Sequence, residues 1–394
     1  METSEALAVD AGEDVERVER WISLLCEEVG PRRPTSQAET VAAMAMRTEL
    51  RAAGVDAETE PYPGYPSFAW PYGLILATAV APAIVPAGMR RTRATLAAAA
   101  AGAMALEGEL RTTPVSKLLA RREGRSLVAT LEPRGEARRT LCLVSHLDSS
   151  RSGLLFHPAA ARFLGRWITL QSISVLVGAA EPLLSRVGPG RRLLGVAHAV
   201  AAAGLALLAE RELRGADVPG ANDNASGVAV AARLIAERAE RPLAGTRLVM
   251  LATGGEEAGL LGAQEFLRSR DTAGWIFLNF DGVGAPATLR YLSQEGVFRR
   301  WPSDGALVRL ASELAERRPE LGLELQDVPA GLTYDTTPVL ARGGRAMTLS
   351  AQDETIPNLH WRTDVPQNLD RDVLRRSLEV GRELIAAIDR GEAD

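Results

Sequence analysis

From Asn222 onward the chain alternates between two periodicities, and that alternation leaves few folds open. Apolar residues at helical spacing predict helices over 225–239, 257–269, 304–318 and 369–389. Between them, short apolar runs predict strands over 246–253, 275–281, 288–293 and 345–350. Strands that are apolar throughout, rather than at every second residue, are buried on both faces. Alternated with helices, they predict an α/β domain whose mostly parallel central sheet carries helices on both faces. In such sheets ligands gather at the carboxyl ends of the strands. Upstream, Val15, Val18, Trp21, Ile22 and Leu25 mark an amphipathic helix over 12–28, and a second helix runs from Ser36 to Ala53 with Gly54 placed to end it. Further strands are expected over 55–60, 126–133 and 139–148.

Two segments break this pattern. Residues 67–109 and 159–211 are apolar and Ala-rich, and each is split by a basic turn: Arg90-Arg91-Thr92-Arg93 in one, Arg186 with Arg191-Arg192 in the other. Each reads as a helical hairpin, so a discontinuous catalytic domain (1–66, 110–158 and 212–394) is expected to carry an inserted four-helix apolar unit. A spanning helix needs ~20 apolar residues. No charge occurs from Pro61 to Met89, although Pro71, Pro82 and Pro86 would kink that run; the uncharged runs 94–106, 167–180 and 193–209 are shorter. So much apolar surface with so little charge favours a unit embedded in membrane lipid, and the alternative is a soluble lid over the site. The expected topology is multi-pass, with the catalytic domain in the cytoplasm. Arg162, Arg166, Arg211 and Arg214 at the far ends cancel the orientation bias of the basic turns.

Bulk properties exclude several classes. A net charge of −5 and a pI near 5.7 argue against a nucleic-acid partner. Cys26 and Cys142 are the only cysteines, too few for a disulfide framework or a thiolate metal cluster. The acidic first twenty residues do not read as a cleaved signal peptide.

The strand ends carry a set of polar residues. His146 and Asp148 close the run 139–148, and Asn222-Asp223-Asn224 precedes the helix over 225–239. Glu256-Glu257 follow the strand over 246–253, Asp281 ends that over 275–281, and His360 lies beyond that over 345–350. Singly, each has an ordinary explanation: a core histidine, a helix cap, a turn acid. Yet the chain holds only four histidines, and two of them lie at predicted strand ends beside acids. Two imidazoles and three carboxylates make a suitable ligand set for a pair of Zn²⁺ ions, one carboxylate bridging both.

The stretches HLDS (146–149), GANDNASG (220–227), GGEEAGLLG (254–262), NFDGVG (279–284) and HWRTD (360–364) resemble, in order and wording, the M28 family of di-zinc exopeptidases, the aminopeptidase group. The resemblance implies a zinc exopeptidase-like fold, two zinc ions and a peptide or aminoacyl substrate. It implies that His146 and Asp281 hold one metal, that Glu257 and His360 hold the other, and that Asp223 bridges them. Asp148 is expected to orient the His146 ring and Glu256 to act as general base. Many relatives place a Tyr just before the last histidine to help stabilise the oxyanion; here that position is Leu359, so either Tyr334 substitutes or the metal acts alone. Asp335 matches an acid near the substrate pocket of relatives, and His157 and His198 match nothing. Two other functions stay open: a glutaminyl cyclase-like acyltransferase with a single zinc, and a catalytically dead, membrane-anchored binding domain.

Overall fold

The computed structural model describes residues 2–297, 299–327 and 331–394. The chain begins with α1 (Glu2–Ser23), α2 (Gln37–Ala52) and β1 (Asp56–Gly64), then α3 (Ala69–Val80), α4 (Arg90–Gly108) and the short α5 (Pro114–Leu119). Strands β2 (Arg122–Leu131) and β3 (Arg139–His146) follow, then α6 (Leu164–Ala179), the one-turn α7 (Glu181–Leu184) and the long α8 (Gly188–Arg214). Next come α9 (Gly227–Ala236), β4 (Thr246–Thr253), α10 (Glu256–Gly259), α11 (Leu261–Ser269), β5 (Ile276–Phe280) and β6 (Leu289–Leu292). A small pair, β7 (Gln294–Glu295) and β8 (Trp301–Pro302), precedes α12 (Gly305–Arg317), β9 (Leu323–Gln326), α13 (Thr337–Ala341), β10 (Arg345–Ala351) and α14 (Arg371–Arg390).

The main sheet has the order β1-β2-β4-β3-β5-β10-β6-β9. Its centre, β4-β3-β5-β10, is parallel and so is the β6/β9 pair, whereas β1/β2, β2/β4 and β10/β6 are antiparallel. Side chains alternate across the pleat, as period two requires. Leu141, Leu143, Leu248, Met250 and Leu278 join the core formed with α1, α2, α9 and α14. Cys142, Val144, Val249, Leu251 and Phe277 face the other way, against Phe266 of α11 and Leu340 of α13. A mixed α/β sheet buried on both faces is therefore what the apolar strands build. The parallel centre sends the ends of β3, β4 and β5 to one edge.

The two apolar segments form a ring of four helices in which α3 packs on α8 and α4, and α6 on α4 and α8. Ile75, Leu76, Ala100, Met104, Val175, Ala201 and Leu208 fill its interior. At its far end Arg93 pairs with the buried Glu181 at 3.0 Å, joining the two hairpins. At the near end Arg211, the residue that closes α8 onto the sheet domain, donates to Ser67 Oγ and Ser150 Oγ at 2.8 Å each and to the Arg151 carbonyl at 3.1 Å. Burial lowers its pKa only to about 10, so it stays charged at neutral pH.

A multi-pass membrane unit is not supported by the helix lengths. Among the described residues α8, at 27 residues, is the one helix long and apolar enough to cross a bilayer. At 1.5 Å per residue, the 12 residues of α3 and the 16 of α6 rise only about 18 and 24 Å, against a hydrocarbon core of about 30 Å. The uncharged run to Met89 is broken where Pro82 ends α3 in a 3₁₀ turn.

The close seat of α9 on β5 places Asp223, just ahead of that helix. A Cβ at Gly227 would lie 2.1 Å from the Phe280 carbonyl oxygen and 2.3 Å from Asn224 Oδ1. Gly227→Ala is therefore expected to lower stability by the ~1–3 kcal/mol typical of overpacking. Thermal unfolding followed by circular dichroism measures this, and an unchanged midpoint would mean that α9 is free to shift.

Candidate metal centre

His146 is the last residue of β3, and its Nε2 lies 3.0 Å from Asp223 Oδ1 and 3.8 Å from Asp281 Oδ2. Across from it, His360 Nε2 lies 3.2 Å from Asp223 Oδ2 and 3.0 Å from Glu257 Oε2. Each oxygen of Asp223 thus faces one imidazole. The result is two groups of three donors that share Asp223: His146, Asp223 and Asp281, and Asp223, Glu257 and His360, each set within 4.8 Å. Glu256 lines the same cavity beside them.

Each donor is placed by backbone contacts that the sequence leaves implicit. Asn224 donates from Nδ2 to the Phe280 carbonyl at 2.9 Å and accepts from Gly227 and Gly282 N–H at Oδ1, pinning Asp223 opposite Asp281. The two oxygens of Asp364 accept from the N–H groups of Asn222 (2.7 Å) and Asp223 (3.1 Å). Buried Arg32 donates to the carbonyls of Leu147 and Pro219 at 2.8 Å and of Gly220 at 3.1 Å, tying the turn after β3 to the loop before Asp223. Buried Glu39 accepts from Tyr62 Oη at 2.6 Å and from Gly255 N–H at 3.0 Å, fixing the approach to α10. Arg32 and Glu39 were missed in the sequence. Their partners are mainly backbone groups far away in the chain, which leave no spacing to read. Asp364 ends the HWRTD stretch, the one hint available. His360 itself has φ +51°, a left-handed backbone uncommon outside glycine and often found at functional sites.

Two of the expected residues make further contacts. The His146 Nδ1 lies 3.1 Å from the backbone carbonyl of Asp148, while the Asp148 carboxylate is 3.7 Å away. That carboxylate instead accepts the N–H groups of Glu256 (3.1 Å) and Glu257 (3.0 Å), so it holds the start of α10. Asp335 Oδ2 accepts the Thr253 hydroxyl at 2.6 Å and ties β4 to the segment before α13, and its charge helps to raise Glu256 and Asp281. Tyr334 and Leu359 do line the cavity.

The electrostatics show a site short of positive charge. Burial, reinforced by the charges of Asp223, Asp335 and Glu257, pushes the Asp281 carboxyl up to about 8 despite His146. Burial first, then Glu257, Asp335 and Asp281, raises Glu256 well above the ordinary range. Burial would lower both imidazoles, but His360 is driven up to about 9 by Glu257 and Asp223. His146 is raised well above its usual value by Asp223, Glu256 and Asp281. Although buried, Asp223 is held below the usual range by both histidines. Glu257 Oε1 is buried without a hydrogen-bond donor among the described residues. Nitrogen and carboxylate donors with an unmet oxygen fit divalent zinc better than they fit protons.

Residues 195–385 match the family model described as peptidase family M28. That span holds Asp223, Glu256, Glu257, Asp281 and His360, whereas His146 and Asp148 precede it. Among solved structures, the chain is similar to BSAP, a zinc aminopeptidase from Bacillus subtilis, at 14% identity and a TM-score of 0.56, over 96% of this chain and 94% of that one. It is similar to an aminopeptidase from Aneurinibacillus sp. strain AM-1 at 13% identity and a TM-score of 0.55, over 95% and 93%. It is also similar to a glutaminyl cyclase from Tannerella forsythia at 14% identity and a TM-score of 0.53, over 95% and 98%. At these identities the likeness is one of fold.

Metal uptake by these groups has a definite sign in pH. In the metal-free chain His360 titrates near 9 and Asp281 near 8, so both carry protons at neutral pH that a ligand must lose. Adding zinc near neutral pH is expected to release protons, and apparent affinity should rise as the pH is raised through 8 and 9. Calorimetry in buffers of different ionisation enthalpy reads this directly. Proton-neutral uptake would show that the metal binds elsewhere.

Proposed function

Because residues 195–385 match the model of peptidase family M28, we propose that this chain is a two-zinc exopeptidase that hydrolyses the amino-terminal bond of peptide or aminoacyl substrates. The observation that carries this reading is the sharing of Asp223 between two otherwise separate donor groups. In it, His146 and Asp281 would hold one ion, Glu257 and His360 would hold the other, and Asp223 would be shared by both. When bound, such a pair polarises the scissile carbonyl and brings the pKa of water toward neutrality.

The chain's own groups do the rest. Glu256 takes a proton from the attacking water and later delivers it to the departing amine nitrogen. It lines the cavity beside both donor groups, the position that a base for that water needs. Asp148 fixes the backbone of Glu256 and Glu257 together, so base and ligand keep a constant separation. Tyr334, whose hydroxyl burial keeps protonated, lines the same cavity and is the candidate donor to the developing oxyanion.

A single-zinc cyclase is the second reading, since one similar fold is a glutaminyl cyclase. Two complete donor groups favour the peptidase, and so does an intact Glu256 against a dead binding domain. The test joins metal analysis to kinetics on aminoacyl-anilides. Wild type should hold close to two zinc ions per chain and lose activity to chelator. Glu256→Gln should keep its zinc while turnover falls at least ~100-fold. One ion per chain, or a Gln variant with near wild-type turnover, would refute the assignment.

We also propose that the helical ring meets membrane lipid. Leu170, Ile173 and Leu176 of α6 and Leu193 and Val196 of α8 are exposed, and Arg90, Arg91, Arg191 and Arg192 at the hairpin tips suit acidic headgroups. Cell fractionation of the full chain should recover it with membranes, the catalytic domain on the cytoplasmic side. Recovery as a monodisperse soluble protein without detergent would make the ring a soluble lid.

A further inference from the structure

The cavity that holds the donor cluster does not stop at the sheet domain. It runs past Phe68 and Phe156 into the helical ring, with a volume of about 270 Å³, at the small end of ligand cavities. Tyr72 and Leu76 of α3, Met104 of α4, Trp167 of α6 and Leu207 and Leu208 of α8 form its inner walls. Phe156 marks the junction: its ring packs 4.2 Å, centroid to centroid, from that of His360.

Protein interiors normally close such space, because unfilled volume forfeits dispersion contacts. Here four helices converge and leave it open next to the reacting groups. The charge distribution restricts what can enter. Among the described residues no Arg or Lys lines the cavity, and its acids are those of the donor cluster with Glu256. The ring end therefore offers no ionic partner to a carboxylate or an ammonium group. Beside the Tyr72 hydroxyl and the Trp167 indole N–H, the polar groups of that wall are Gln171, whose Nε2 donates to the Val200 carbonyl, and Ser172, whose Oγ donates to the Ile168 carbonyl, each at 2.8 Å. Gln171 Oε1 is buried with no donor among the described residues.

We propose that the ring end of this cavity is a pocket for an extended, uncharged apolar chain on the acyl side of the scissile amide, and that the inserted helices set this specificity. The proposal rests on the peptidase reading above and narrows its substrates. The chain is either the side chain of the amino-terminal residue or an acyl chain without an α-amino group. The chemistry of the pocket is the same for both. Burying one methylene is worth about fourfold in binding, so preference should build along the chain until the cavity is full.

The test uses the zinc-loaded full chain and two series of anilides with linear chains of increasing length, one bearing the α-amino group and one lacking it. In at least one series kcat/KM should rise about fourfold per methylene and then level off; the series that responds identifies the source of the chain. Met104→Trp, which fills the ring end, should cut the ratio of longest-chain to shortest-chain kcat/KM at least tenfold. Leu208→Ala, which enlarges it, should move the plateau to longer chains. Simple damage to the fold would not move the two in opposite directions. Length-independent kcat/KM in both series, from an enzyme that does hydrolyse them, overturns the pocket and leaves the peptidase standing. If no amide is hydrolysed, the peptidase reading fails, and binding decides the pocket alone. Metal-free protein should show a change in Trp167 emission with 1-octanol but not 1-butanol, absent in Trp167→Phe and weakened in Met104→Trp. Equal responses to the two alcohols overturn the proposal.

Discussion

The structure is organised around a burden of negative charge that the sheet brings to one edge. Asp223, Glu257 and Asp281 meet two histidines there, with Glu256 alongside and Asp148 behind. Carboxylates so close and so buried cannot all ionise unaided, which is why Asp281 titrates near 8. Protons or cations must fill the deficit. The surrounding chain is arranged to keep the acids apart from one another and aimed inward: Asp364 and Asp148 each accept two backbone N–H groups, and Arg32 closes the loops on either side.

Much of this could be read in the sequence, because the donors follow directly on elements whose periodicity is strong. His146, Asp281 and the Glu256-Glu257 pair stand at or just past the ends of apolar strands, and Asp223 stands just ahead of a helix. Legibility fails where position depends on a distant backbone group, as for Glu39 against Gly255 or Arg32 against Gly220. It fails also where the backbone itself departs from the pattern. The helix expected over 257–269 is two, divided at Leu260, whose φ of +61° breaks the regular turn. Strand β9 lacked a pattern because only Leu323 among its residues is buried. Hydropathy overstated the membrane character of the hairpins, since runs of alanine score as apolar while packing equally well inside a protein.

The helical ring is tied to the site by chemistry as well as by contact. Arg211 closes α8 onto Ser67 and Ser150, and its guanidinium lies 4.4 Å from the Phe68 ring centroid, at the mouth of the inner cavity. Ser150 is four residues beyond His146, so the helix end and the donor cluster are fixed to the same turn. Walls drawn from α3, α4, α6 and α8 therefore hold a set distance from the reacting groups.

The ring is assembled from two pieces of chain with β2 and β3 between them, and this has a consequence for how the protein is made. Helices α3 and α4 leave the ribosome with their inner faces, Ile75, Leu76, Ala100 and Met104, awaiting partners on α6 and α8. Roughly a hundred further residues must be synthesised before α8 is complete, about 5–20 s at ordinary elongation rates. During that interval β3 has not yet met β4 or β5, so neither the ring nor the sheet can cover the exposed surface. The first hairpin is thus a part of the nascent chain that a chaperone or a lipid surface would have to cover.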